Sequence, residues 1–276
     1  MIDKEEIIFG EKNGIKYLQF KKLLKYPEIQ HLYILKSKDM NFRLGTNKRR
    51  IKEVTENIKK VCNEFEIPLD SIIRPDYNHT NNVQIIDFVD KNEVPEISGK
   101  RFKNTDGLIT NKNNITMMST NADCNLILIY DPIKHVVGNI HAGWRGTFDR
   151  IAYNAVEKMK NEFGSNPKDI LCFLCPSIRK CHFEVDEDVK NICEEKFKYT
   201  KLLNKIIEEG EIKENKKKYF IDTILINKLL LEEAGVSLEN IVDSEICSVC
   251  HMDIIHSKRA EGENFGLGAA FIRKNK

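Results

Sequence analysis

The sequence predicts an α+β fold of layered mixed β-sheets flanked by helices, forming a single compact domain over residues 1–276. Three observations lead there. Strand-like segments crowd residues 71–140. Helical periodicity is confined to a few stretches that do not alternate strictly with strands. No repeat, low-complexity tract or Pro/Ser-rich linker divides the chain.

The elements follow in order. Ile7 to Gly10 and Ile15 to Phe20 flank Asn13-Gly14, a strong turn signal, so a β-hairpin is expected. Leu32 to Leu35 reads as a short strand. Thr46 or Asn47 can cap a helix running to about Phe65, with Ile51, Val54, Ile58, Val61 and Phe65 on one face. Strands are expected at Ser71–Arg74, Val83–Val89, Gly107–Thr110, Ile115–Ser119, Leu126–Tyr130 and Val136–Ile140. After a turn at Gly146, Phe148, Ile151, Ala152, Ala155, Val156, Met159 and Phe163 fall at helical spacing, and Gly164 ends the run. Then come a buried strand at Ile170–Leu174, helices at Asp186–Phe197 and Ile221–Ala234, and a last strand at Gly268–Ile272. The polar stretch Glu208–Asn215 with Lys216-Lys217-Lys218 is expected to be a solvated loop.

Hydrophobic residues make up 41% of the chain, enough for a sizeable core. The net charge of +2 gives no electrostatic reason to expect nucleic-acid or membrane binding. The opening residues carry Glu5 and Glu6 where a signal peptide needs an apolar core, and no apolar run reaches the ~20 residues of a membrane helix. A cytoplasmic location is therefore expected. There the eight cysteines read as free thiols or metal ligands rather than disulfides.

The densest chemical signal lies between Thr120 and Arg150. Cys124 enters an apolar strand directly after Asp123, and His141 leaves another, followed by Ala142-Gly143-Trp144-Arg145-Gly146. If the Asp131-Pro132 turn joins the two strands in a hairpin, Cys124 and His141 meet at one edge. Strand ends hold ligands rigidly while adjacent loops give access. The glycines allow backbone to approach a ligand, the following helix start favours an anion, and Arg145 is a forked donor for phosphate or carboxylate. The alternative is a plain tight turn with Arg145 paired to a surface acid.

These strings resemble the multicopper-polyphenol-oxidase-like or laccase-domain family, now regarded as purine nucleoside phosphorylases. Ala122-Asp123-Cys124, Asp131-Pro132 and His141 to Thr147 match as they stand. Asn41-Phe42-Arg43-Leu44-Gly45, Thr105-Asp106-Gly107-Leu108-Ile109-Thr110, Pro176-Ser177-Ile178 with Phe183-Glu184-Val185, and Cys247, Cys250 with Ser257-Lys258-Arg259 match more loosely.

The resemblance implies a third metal ligand at His79, within Tyr77-Asn78-His79-Thr80, and so one Zn²⁺ held by His79, Cys124 and His141. Three ligands leave a fourth position open, as in catalytic zinc sites. It further implies phosphorolysis of adenosine, inosine or methylthioadenosine, and deamination of adenosine, by a monomer or small homo-oligomer. Cys124 and Arg145 would act in catalysis, and Asn41, Arg43, Glu184 and Arg259 would contact substrate. The sequence departs from the family pattern around His79 and lacks arginines expected at Ile58, Ala260 and Leu267. Arg43, Lys258 or Arg259 are candidates to compensate.

Three rival readings stay open: a metal-independent Cys/His hydrolase or deamidase, a non-enzymatic metal-binding or partner-binding role, and copper-dependent phenol oxidation. The last sits poorly with seven scattered histidines. Cys172-x-x-Cys175 with Cys247-x-x-Cys250 could spell a Cys₄ zinc ribbon, and Cys247-Ser-Val-Cys250-His251 a haem attachment. The first conflicts with a core strand and the second with a cytoplasmic location. His31, His135, His182 and His256 are expected at the surface or satisfied, and Cys62 and Cys193 in the core.

Overall fold

Apolar residues on both faces of a strand require a layer on each side of its sheet. The run Leu126-Ile127-Leu128-Ile129-Tyr130 poses that demand most sharply, and the computed structural model meets it with four layers. It describes residues 5–37, 40–45, 47–89 and 102–275.

In chain order the elements are β1 (Ile7–Lys12), β2 (Ile15–Phe20), β3 (Ile29–Ile34), α1 (Lys48–Glu64), β4 (Ile72–Ile73), β5 (Val83–Ile85), β6 (Gly107–Thr110), β7 (Thr116–Asn121), β8 (Asn125–Asp131) and β9 (Val136–Ala142). Then come α2 (Trp144–Phe148), α3 (Ile151–Phe163), β10 (Leu171–Leu174), β11 (Glu184–Val185), α4 (Glu187–Phe197), α5 (Leu203–Ile206), β12 (Ile207–Lys213) and β13 (Lys216–Ile221). The chain ends with α6 (Thr223–Glu233), β14 (Ile241–Asp243), α7 (Lys258–Glu261) and β15 (Gly268–Lys274). The fold is mixed α+β, as the sequence predicts.

One sheet runs β1-β2-β3-β15-β7-β4 and a second β14-β10-β8-β9-β6-β5. The pairs β4–β7, β5–β6 and β10–β14 are parallel and the other pairs in these two sheets antiparallel. Successive side chains of a strand point to opposite faces. Leu126, Leu128 and Tyr130 of β8 therefore join Leu171 and Phe173 of β10 and Ala270 and Ile272 of β15 in the core between the sheets. Their neighbours Ile127, Ile129, Cys172 and Leu174 pack under α3, α4 and α6. On the outer face of the first sheet, Ala269 and Phe271 meet Val54, Ile58 and Val61 of α1. Each such burial is worth about 1.5–3 kcal/mol. Asn139 is the polar exception: its amide donates to Met117 O and Ala270 O at 3.1 Å, stitching the sheets together.

Several expectations change. Asn47 caps α1 by accepting from Arg50 N at 2.8 Å, while Thr46 lies outside the described residues. The strand expected at Leu32–Leu35 starts earlier, at Ile29, and that expected at Val83–Val89 stops at Ile85. The supposed solvated loop is a hairpin, β12–β13, which adds β11 to make a third sheet. Its turn residues Glu214 and Asn215 both have positive φ, 51° and 61°. Lys217 pairs with Glu209 and Lys218 with Asp186, so the charge run decorates a strand. The helix expected after Gly146 begins earlier, at Trp144, and breaks at Arg150, whose φ of 71° is left-handed. No helix among the described residues is long and apolar enough to cross a membrane.

Candidate metal centre

The hairpin β8–β9 brings the two expected ligands together. Leu126 pairs with His141 and Asn125 with Ala142, so Cys124 sits just beyond the ladder beside the end of β9. Asp131 stabilises the far turn, its carboxylate accepting from Ile133 N and Lys134 N. His79 arrives from a separate loop. Its Nε2 lies 4.0 Å from Cys124 Sγ, and the donor atoms of His79, Cys124 and His141 all lie within 4.8 Å of one another. His79 is exposed, Cys124 half-buried and His141 buried, so the cluster opens to the surface on one side.

Asp106, to which the sequence alone assigns no role, organises this cluster. It is fully buried at the start of β6. One carboxylate oxygen accepts from His141 Nδ1 at 2.9 Å and His79 N at 3.1 Å. The other accepts from Asn78 N, Thr80 N and Thr80 Oγ1. It thereby fixes the loop that presents His79, whose backbone is left-handed at φ 55°, and leaves His141 Nε2 as the free ring nitrogen. Its signal in the sequence was its place just before β6, in the Thr105–Thr110 string that carries part of the family resemblance.

Electrostatics favour a charge-separated pair. Burial opposes ionisation of both partners, yet the imidazolium of His141 and the bond from His79 bring the Cys124 thiol down to about 6. Burial likewise opposes the His141 charge, but the Cys124 thiolate and Asp106 push it up to about 10. Asp106 is buried too, but its bonds to His141 and Thr80 hold it below the ordinary carboxylate range. A thiolate near neutral pH is the form of cysteine that binds metals. Two imidazoles, one thiolate and an open side match the donor set of a three-ligand zinc site.

Other residues shape the walls. Tyr77 tilts its ring over His141 with centroids 4.5 Å apart, and its hydroxyl accepts from Thr120 N. A Cβ on Gly143 would fall 2.5 Å from His79 Cδ2 and 3.4 Å from Cys124 Sγ. A Cβ on Gly146 would fall 2.5 Å from Thr80 O. The two glycines thus let the loop after β9 close against the His79 loop. Asp123, left-handed at φ 80°, accepts from Ser248 Oγ, Ser257 Oγ and Arg259 N, tying the Cys124 corner to the C-terminal segment.

The remaining expected residues are placed as follows. Arg145 is exposed, with its guanidinium 4.1 Å from the Trp144 ring centroid and no carboxylate partner among the described residues. The helix that begins there, α2, has only five residues, so little dipole accumulates at its N-terminus. The anion argument therefore rests on Arg145 alone.

Arg43 donates to Glu263 O and Phe265 O, and Asn41 Oδ1 accepts from Arg43 N and Leu267 N. Glu184 pairs with Lys213. Arg259 spans His182 O and Glu184 O. Ile58 is buried under the first sheet, and Leu267 packs against the same cluster.

Cys62 and Cys193 are buried, as expected. His31 is buried and accepts from Phe20 N at 2.9 Å, and His256 is buried beside Glu261. His135 lies 3.4 Å from Tyr130 Oη. His182 is the exception: its Nδ1 lies among three cysteine sulfurs.

Residues 34–275 match the family described as multi-copper polyphenol oxidoreductase laccase. The chain is 29% identical over 220 residues to purine nucleoside phosphorylase YlmD of Bacillus subtilis, covering 80% of this chain and 77% of that protein. It is 32% identical over 210 residues to adenosine deaminase RL5 from an unknown prokaryote, covering 74% and 75%. The crystal structure of YlmD from Geobacillus stearothermophilus superposes with a TM-score of 0.84 over 98% of this chain and 99% of that one, at 23% identity, and shares the fold. With the family match spanning nearly the whole chain beyond β3, this protein belongs to the multi-copper polyphenol oxidoreductase laccase family.

Proposed function

We propose that the chain works as a single unit that cleaves purine nucleosides with phosphate, and that it also deaminates adenosine, using zinc held by His79, Cys124 and His141. The observation that carries this is the three-donor cluster, open on one side and oriented by Asp106. The names of the relatives supply the substrate class. A zinc ion there would supply a Lewis acid and lower the pKa of a bound water.

In phosphorolysis the bond between the sugar C1′ and the base nitrogen breaks, and a phosphate oxygen bonds to C1′. The base leaves with the electron pair and takes up a proton. Arg145 would hold the phosphate, because its guanidinium has no hydrogen-bond acceptor among the described residues. Arg43 and Arg259 already donate to backbone carbonyls and would frame the pocket rather than bind the anion. Asp106 would keep His141 Nδ1 protonated and its Nε2 lone pair turned inward. Tyr77 would exclude water from one side of His141.

One observation favours a second reading. Asp106, His141 and the depressed thiol of Cys124 also form an acid–imidazole–thiol series, the arrangement of a metal-independent cysteine nucleophile. His79 distinguishes the two readings, since a nucleophile and base do not need a third donor at 4.0 Å.

The test is to incubate purified protein with adenosine, inosine and methylthioadenosine, with and without phosphate, and separate the products. Free base released only with phosphate is the expected result, and inosine formed from adenosine adds deamination. No turnover of any of the three would sink the substrate assignment.

A further inference from the structure

A second group of metal-binding side chains lies outside this site. Cys181 and His182 precede β11, and Cys247 and Cys250 follow β14. The fold brings them to one point. Cys181 Sγ is 3.7 Å from Cys247 Sγ and 3.9 Å from Cys250 Sγ. His182 Nδ1 is 3.2 Å from Cys181 Sγ and 3.6 Å from the sulfurs of Cys247 and Cys250. All four donors lie within 4.8 Å of one another.

These spacings are informative because two simpler explanations fail. Disulfides need sulfurs about 2.05 Å apart, and all three cysteine thiols are free. Core packing does not apply either, because Cys181 and Cys250 are exposed and His182 half-buried. A tetrahedral zinc with bonds of about 2.3 Å to sulfur and about 2.05 Å to nitrogen places its ligands about 3.8 Å apart for S–S pairs and about 3.6 Å for S–N pairs. The distances found match those edges, with the adjacent pair Cys181–His182 somewhat shorter.

We propose that Cys181, His182, Cys247 and Cys250 form a closed, four-ligand zinc site, separate from the one proposed for catalysis. Four protein donors leave no position for substrate, so its role is structural. It adds to the bonds that already join the two segments: Ser177 N donates to Ile246 O, Ser248 N to Ser177 O, and the Arg179 guanidinium to both carboxylate oxygens of Asp243. The segment it anchors carries Ser248, whose hydroxyl holds Asp123 beside Cys124. Metal here would therefore keep the Cys124 corner in place from behind.

The test counts metal. Wild-type protein purified under reducing conditions with zinc should carry two zinc ions per chain, and Cys250→Ser and Cys181→Ser about one. A variant that fails to fold would be uninformative, so the decisive sample keeps the cluster intact. Cys124→Ala protein loaded with Co²⁺ alone should still bind one equivalent, with sulfur-to-cobalt charge-transfer absorbance of three thiolates. X-ray absorption of its zinc form should show three sulfurs and one nitrogen. Cys124→Ala with no bound metal, or a mass two daltons low from a Cys181–Cys250 disulfide, would overturn the proposal. None of these readouts depends on nucleoside turnover.

Discussion

Gly143→Ala is the cleanest probe of the candidate metal centre. Gly143 has φ −64° and ψ 163°, a conformation any residue adopts, so the substitution introduces no backbone strain. Its effect is purely steric. The new Cβ would stand 2.5 Å from His79 Cδ2, and an ordinary carbon contact needs about 3.5 Å or more. The ring must therefore retreat by about 1 Å, whereas a metal–nitrogen bond tolerates about 0.2 Å. Disturbing a residue that only orients a ligand costs about 10–100-fold in affinity, and moving the ligand itself should cost at least the upper figure, about 3 kcal/mol.

The fold should lose about 1 kcal/mol or less, the cost of alanine at an N-cap. Competition against a chromophoric chelator gives the affinity, and thermal denaturation of the metal-free form gives the stability. Adding His79→Ala removes the clash and the ligand together, so the double variant should bind no worse than His79→Ala alone. Wild-type zinc affinity in Gly143→Ala would show that His79 is not a ligand.

Asp106→Asn sets an amide N–H₂ among groups that all donate, and should cost about 3 kcal/mol in chemical denaturation together with a 10–100-fold loss of metal affinity. Arg145→Ala should weaken phosphorolysis about 10–100-fold at low phosphate while sparing deamination of adenosine, read from product ratios. Acid should destabilise the fold through His31, whose burial holds its imidazole down to about 3. The unfolded chain takes up that proton near pH 6.5 and the folded chain does not, so stability falls as pH drops from about 6.5 towards 3, by about 1.4 kcal/mol per unit for this group. Denaturation at pH 7 and pH 5 should show a smaller difference in His31→Gln.

Elements with a single physical demand were legible in the sequence. The run of β8 had to be covered on both faces, and the apolar stripe of α1 had to face a sheet. Cys124 and His141 could be paired because a short turn fixes hairpin geometry. His79 came only through the family resemblance, since nothing local brings its loop to β8. The β12–β13 hairpin stayed hidden because Glu214 is a poor residue for a left-handed turn and its strands are mostly charged. The break at Arg150 was hidden for a related reason: apolar periodicity continues across it. Asp106 and the cluster at Cys181 depend on long-range contacts with no sequence spacing to betray them. Spacing alone pairs Cys247-x-x-Cys250 with Cys172-x-x-Cys175, but the latter pair is buried in and just after β10, and the neighbours in the fold are Cys181 and His182.

The most direct measurement is turnover of adenosine with phosphate before and after metal removal. Protein stripped with a chelator and dialysed should release no adenine, and zinc alone should restore both adenine and ribose 1-phosphate. Full turnover by the stripped protein, abolished by alkylating Cys124, would contradict the metal assignment and leave a cysteine nucleophile in its place.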